Sequence, residues 1–245
     1  MQATNIIRDA VKRVTLLRQT AAANPALAQA LSDIKQFQAR RFAATYVDLL
    51  HSERYKPAAL FFLDELYSER DYSERDAQFA RIAGALERIF PQQVVQAAVS
   101  LAQLHHQTEE LDLALAQVWM SNANQDEVPR YITAWRAVGQ RSERNAQLAT
   151  VLDVGHQLDR LTHMPGLRLM LRMMRGPANL AGMGSLQRFL ELGFDTFGAM
   201  GRQGGGVTFF LDTLRTREAG LMERLFDASA VACATEINRI LGQPR

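Results

Sequence analysis

Leu101-Ala-Gln-Leu-His-His-Gln-Thr-Glu-Glu-Leu-Asp-Leu-Ala-Leu-Ala116 places a large apolar residue every three or four positions. At 100° per residue, Leu101, Leu104, Thr108, Leu111 and Leu115 make one stripe, and His105, Glu109 and Asp112 run along its edge. This period predicts an amphipathic helix, and it recurs through the whole chain. No segment shows the period-two alternation of Val, Ile, Thr and aromatics that a half-buried strand requires. The expected fold is therefore all-α, a multi-helix bundle of about eleven helices with short connections.

Working outward from that stretch, a first helix is expected over 4–22, with Ile6, Ile7, Ala10, Val14 and Leu17 on one face. Asn24-Pro25 starts a long second helix that carries its apolar stripe to His51. Lys56-Pro57 opens a short helix, Ala58 to Tyr67, that is apolar all round and so centrally buried. In Ser68-Glu-Arg-Asp-Tyr-Ser-Glu-Arg-Asp76, Ser73 is expected to cap a helix with Asp76 reaching back as in a capping box. Pro91 starts the helix that holds the opening stretch, and further helices are expected at 127–141, 144–162, 165–175, 184–200, 207–218 and 219–241. Phe61-Phe-Leu-Asp-Glu-Leu66 echoes Phe209-Phe-Leu-Asp-Thr-Leu214, and Leu86-Glu-Arg-Ile-Phe90 echoes Met222-Glu-Arg-Leu-Phe226. Amphipathic helices reuse the same few residues, so chance accounts for most of this. No solenoid period accompanies the echoes. The chain reads as a single domain, 1–245, with 1–163 and a Gly-rich 164–245 as separable subdomains.

The 245 residues are 47% hydrophobic and 22% charged, which excludes a disordered or fibrous chain. No apolar run is long enough for a transmembrane segment, and the start Met1-Gln2-Ala3-Thr4-Asn5 has no apolar region behind it, so a cytoplasmic protein is expected. Cys233 is the sole cysteine; it excludes an internal disulfide and reads as a small inert apolar residue in a helix. Lys12, Lys35 and Lys56 are the only lysines among 28 basic residues. A GC-rich genome produces such an arginine bias without any functional demand, although guanidinium does suit bidentate carboxylate contacts.

The segment Phe61-Phe-Leu-Asp-Glu-Leu-Tyr67, with the Arg-Asp pairs that follow it, resembles a proteobacterial all-helical family with a Phe-Phe-Leu-x-Asp/Glu-Leu-Tyr signature. The resemblance extends to Leu104-His105 and Leu111-Asp112, and more weakly into the Gly-rich last third. It implies an all-helical bacterial protein, and it carries over no activity.

Two groupings bear on chemistry. The first is the polar edge of two helices: His105, Glu109 and Asp112 on one, and His156, Asp159 and His163 on the other. Imidazole and carboxylate at these spacings are the ligands of an iron, manganese or zinc ion in a bundle, or of a haem. Glu-x-x-His pairs of di-metal bundles are absent, the nearest match being Asp153-Val-Gly-His156. Structural pairing of each histidine with an acid one turn away is the commoner arrangement. His51, at a helix end, is explained by the helix dipole.

The second grouping is basic. Between Asp159 and Glu191 there is no acid. In Leu167-Arg-Leu-Met-Leu-Arg-Met-Met-Arg175, Arg168, Arg172 and Arg175 share a face opposite Leu167, Met170, Leu171 and Met174. Such a helix serves a protein partner, an anion or an anionic membrane surface through Arg168, Met170, Arg172, Met174 and Arg175, unless its apolar face is ordinary core and its arginines pair internally. Nucleic acid is disfavoured by the net charge of +2 and the lack of a recognition motif. Gly193, between Phe189, Phe194 and Phe197, permits close helix approach or an apolar ligand. The run Gly204 to Gly206 lacks the strand and Lys-Ser/Thr of a phosphate loop and reads as a hinge. No nucleophile motif surrounds Cys233 or any serine.

The functional expectation is a non-enzymatic cytoplasmic interaction or regulatory protein that binds a protein partner or itself through a surface including 165–190. One alternative is a metal- or haem-binding bundle, an oxidoreductase using the His/Asp/Glu cluster. The other is apolar-ligand or peripheral membrane binding through the Arg/Met helix.

Overall fold

Residues 2–65, 70–202 and 205–242 are described by the computed structural model of the chain, and among them there are thirteen helices and no strand. They are α1 (Gln2–Ala22), α2 (Pro25–Thr45), α3 (Val47–His51), α4 (Lys56–Glu65), α5 (Ser73–Ile89), α6 (Gln92–Ser121), α7 (Glu127–Val138), α8 (Arg141–Thr162), α9 (Leu167–Met173), α10 (Arg175–Leu180), α11 (Gly184–Gly201), α12 (Gly206–Asp227) and α13 (Ala230–Leu241). Eleven of them have seven residues or more, so the fold is the all-α, multi-helix one expected. Leu66, Tyr67, Ser68 and Glu69 of the signature and its loop, and Gly204 of the glycine run, lie outside the described residues. No helix is long and apolar enough to cross a membrane among the described residues.

The chain forms two compact units interleaved in sequence. Unit 1 takes Met1–Thr15, Arg70–Gln107 and Thr150–Leu211; unit 2 takes Leu16–Glu69, Thr108–Ala149 and Asp212–Arg245. Helices α1, α6, α8 and α12 therefore each give a segment to both units.

Within unit 1, Ile7, Ala10, Ala83, Leu86, Val95, Ala98 and Ala102 bury the stripes of α1, α5 and α6 together. A second cluster joins Ala97, Leu161, Leu167 and Phe194 from α6, α8, α9 and α11. A Cβ on Gly155 would lie 2.6 Å from Leu211 Cδ2, so glycine is what lets α8 meet the first turns of α12 here. Helix α11 begins with no side-chain cap of its own; Gln78 of α5 supplies one, its Oε1 accepting the buried Leu186 N–H at 2.8 Å.

Unit 2 is built around aromatics. Phe37 of α2 sits 4.4 Å from Tyr131 of α7 and 6.4 Å from Trp119 of α6, ring centre to ring centre. Ile34, Leu115, Leu225 and Ile237 close the same cluster. Cys233 is buried within it, and burial pushes its thiol above the usual range, which suits the inert apolar role expected.

Three departures from the expected boundaries have physical causes. The second helix breaks at Tyr46 because tertiary side chains take over its ladder there: Arg217 Nη1 donates to the Thr45 carbonyl at 2.7 Å, and Tyr46 OH donates to Glu218 at 2.8 Å. Ser73 is not a cap for α5; its N–H donates to Asp71 Oδ1, while Asp76 turns to His105. Helix α12 continues through Gly220 to Asp227, and the break comes at Ser229, whose Oγ accepts the Ala232 N–H at 3.2 Å. The two echoed segments at 209 and 222 thus share one helix, whereas those at 61 and 86 lie on separate helices, so no repeated hairpin is formed.

Replacing Gln78 by leucine leaves the buried Leu186 N–H without an acceptor, at a cost of about 1–3 kcal/mol. Urea denaturation of Gln78→Leu is expected to show that loss with an unchanged slope.

Candidate functional site

The polar edge of α6 is occupied by protein partners wherever it is buried. In unit 1, His105 Nε2 lies 2.9 Å from Asp76 Oδ2, and Asp76 is only 6% exposed. Gln157 of α8 donates to Ser100 at 3.5 Å. In unit 2, Lys35 Nζ donates to both oxygens of Glu109 at 3.0 and 3.1 Å, and Arg18 Nη2 adds a third bond at 3.1 Å. Gln147 donates to Thr108 at 2.8 Å, and Gln38 Nε2 donates to Asp112 Oδ1 at 3.2 Å.

The second histidine–acid set sits on the unit 1 part of α8. His156 is half-buried. His163 is exposed, and its Nδ1 donates to the Asp159 carbonyl at 2.8 Å, which closes the helix C-terminus much as His51 Nδ1 does with Val47 in α3. Asp159 Oδ1 is buried without a hydrogen-bond partner, 3.9 Å from His163 Nδ1. Of the six proposed ligands, His105, His156, Asp159 and His163 belong to unit 1, and Glu109 and Asp112 to unit 2. Among the described residues no three His, Cys, Asp or Glu side chains converge as a metal site.

Around Asp112 the interior of unit 2 is polar to a degree the sequence did not reveal. Gln38, Arg41, Glu109, Asp112 and Arg144 are each under a tenth exposed. Arg144 lies 4.2 Å over the Trp135 ring and donates to the Leu111 carbonyl at 3.4 Å. Arg41 pairs with Glu218, which also accepts from Tyr46. Burial pushes the Tyr131 hydroxyl up to about 12, against the opposing pull of Arg41 and Arg144. Burial likewise raises the Asp112 carboxyl, more than Lys35 and Arg144 lower it.

The sign of that displacement fixes a pH dependence. A carboxyl raised in the folded state binds its proton more tightly folded than unfolded, so ionising it costs stability. The penalty is absent below the unfolded value of about 3.9 and grows as pH rises through the folded value. Asp112→Asn is therefore expected to raise the melting temperature at pH 7, by about 2–4 °C for each kcal/mol relieved. At pH 3 the two proteins should melt together.

The basic grouping is carried by α9, α10 and α11 of unit 1. Leu167 is buried, and Met170 and Leu171 pack half-buried on the same cluster; Met174 is also half-buried. The apolar face of α9 is thus core, and Met170 and Met174 are not the outward surface. Leu169 and Met173, 62% and 69% exposed, lie one turn apart on the opposite face with Arg172. Helix α10, unforeseen because Gly176-Pro177 reads as a breaker, tolerates Pro177 in its first turn and ends at Leu180, 93% exposed. Arg168 donates from Nε and Nη2 to Asp195 Oδ1 at 2.9 and 2.7 Å. Arg175 Nε reaches both oxygens of Glu191 at 3.1 Å and holds that carboxyl below its usual range. Arg172 has no ion pair among the described residues, and Arg188 bonds only Ser185, at 3.3 Å.

The fold and these surfaces define an all-helical protein in which the buried Asp76, Glu109 and Asp112 are each met by side chains of other helices, with a basic, partly apolar face left outward. The family follows from the sequence: residues 17–232 match the model described as a domain of unknown function, DUF8198, and the chain belongs to that family. No curated protein and no solved structure shows a significant match to the chain.

Proposed function

We propose that the protein is a non-enzymatic interaction or regulatory protein that docks an acidic segment of a partner protein on the outer face of α9 and α10. The observation that carries this reading is the concentration of large exposed apolar side chains, Leu169, Met173 and Leu180, within twelve residues, on a basic surface where Arg172 feels Glu191 only at a distance and Arg188 bonds only Ser185, neither forming an ion pair among the described residues. Isolated surface leucines need no explanation, but two neighbours on one turn of a helix rich in arginine do. Methionine adapts its shape to a partner at little cost. Arginine, already gripping Glu191 and Asp195 on this surface, is suited to carboxylates.

Two other occupants fit less well. A second copy would bring guanidinium against guanidinium, since Asp195 and Glu191 are already engaged. A membrane surface would favour tryptophan or tyrosine at its edge, and 165–190 holds neither. The arginine bias and the resemblance to a proteobacterial family support a bacterial cytoplasmic setting.

The test compares the native chain with Leu169→Glu/Met173→Glu, both changes at exposed positions that spare the core. The expected partner cross-links to 169–180 through a segment rich in Asp and Glu, is lost with the double variant, and dissociates as salt rises. Loss of self-association in the variant, or binding to phosphatidylserine vesicles in place of any protein, contradicts the proposal.

A further inference from the structure

Where the last turns of α8 and α11 meet, unit 1 holds an open cleft of about 230 Å³ lined by Thr162, Arg168, Phe194, Asp195, Gly198 and Arg202. Gly198 keeps it open: a Cβ there would sit in ordinary contact, 3.7 Å from Thr162 Cβ, and anything longer would enter the space. Phe194 forms an apolar wall, held from behind by Leu161 and Leu167.

A count of donors and acceptors shows what the cleft lacks. Arg168 spends Nε and Nη2 on one oxygen, Asp195 Oδ1, and its Nη1 bonds no described residue. Arg202 makes one long bond, from Nε to the Gly198 carbonyl at 3.4 Å; neither of its Nη groups has a partner, and no carboxylate pairs with it among the described residues. Thr162 Oγ1 donates to the Asp159 carbonyl at 2.7 Å and lies 3.4 Å from His163 Nδ1, so the hydroxyl is already engaged by its own helix end. Three guanidinium Nη groups thus face a cleft whose lining holds one carboxylate, Asp195, with one of its oxygens taking both Arg168 bonds.

We propose that this cleft binds a small organic oxyanion, a carboxylate or phosphate monoester, with its charged head on Arg202 and Arg168 Nη1 and a short apolar part against Phe194. The planar fork of arginine matches two oxygens of either head group. The volume is below the roughly 300–1,000 Å³ of sites for drug-sized ligands, which restricts the ligand to a few carbons. Carbonyls at the ends of α8 and α11 oppose an anion, so binding is expected in the millimolar range, about that of a modest metabolite sensor. The inference does not depend on the docking reading for α9 and α10, although the Arg168–Asp195 pair borders both.

Titration of the full chain with butyrate, inorganic phosphate and butyramide, followed by calorimetry or NMR in phosphate-free buffer, tests it. Saturable binding of butyrate or phosphate, absent for neutral butyramide and weakened at least tenfold by Arg202→Gln, is the expected result. A stronger response to butyrate assigns a carboxylate, and a stronger one to phosphate assigns a phosphate monoester. Gly198→Leu should abolish binding by filling the cleft, and circular dichroism checks that both variants are folded. No saturation by either anion, equal binding of butyramide, or binding untouched by both substitutions, meaning an adventitious ion only, overturns the proposal.

Discussion

A charge removed from water must meet a partner or lose its ionisation, and this requirement organises α6 and everything that packs on it. Its apolar stripe alone would let neighbouring helices slide or rotate, because leucine on leucine is indifferent to register. Glu109 removes that freedom in unit 2: with its side chain almost fully covered, it needs Lys35 from α2 and Arg18 from α1 at the same time. In unit 1, Asp76 does the same between α5 and His105 of α6. The polar edge that looks from sequence like a set of metal ligands is in each place engaged by side chains of other helices.

The same requirement explains where helices stop. Tyr46 and Thr45 end α2 because their polar groups are claimed by Glu218 and Arg217, and Asp48 begins α3 under the second arm of the same arginine. The Arg217 guanidinium holds Asp48 below the usual carboxylate range. Arg75 shows the complementary solution, its guanidinium 3.9 Å from the ring of Tyr72 and 4.5 Å from that of Phe189, so that its charge is met by aromatic faces as well as by Asp76. Arginine dominates these roles because its planar fork serves a carboxylate, a carbonyl and a ring at once, which gives the compositional bias a structural use.

Period and punctuation in the sequence were enough for the helical class and for most helices. They failed where a distant side chain overrides a local signal. Nothing near Tyr46 announces that Arg217 will take its neighbour's carbonyl, and Gly220 resembles a helix end although α12 passes through it. The candidate sites were legible as groupings but not as partnerships. The wheel for 167–175 set Met170 and Met174 opposite the arginines and offered them to a partner, whereas in the fold that face packs inward and Leu169 and Met173, on the arginine side, are the exposed apolar residues. Buried Gln38, Arg41 and Arg144 left no mark in the sequence, because ionisable residues on a helix read as solvent-facing unless their partners are known.

The account rests on buried pairs acting jointly to fix helix register, and the Lys35–Glu109 contact is its most direct representative. A double-mutant cycle with Lys35→Met, Glu109→Leu and the pair, read by urea unfolding, measures that joint action. The account predicts that either single change is strongly destabilising and that the double variant recovers part of the loss, with a coupling of about 1–3 kcal/mol. Additive losses with no coupling would show that the two side chains do not depend on each other, and would contradict it.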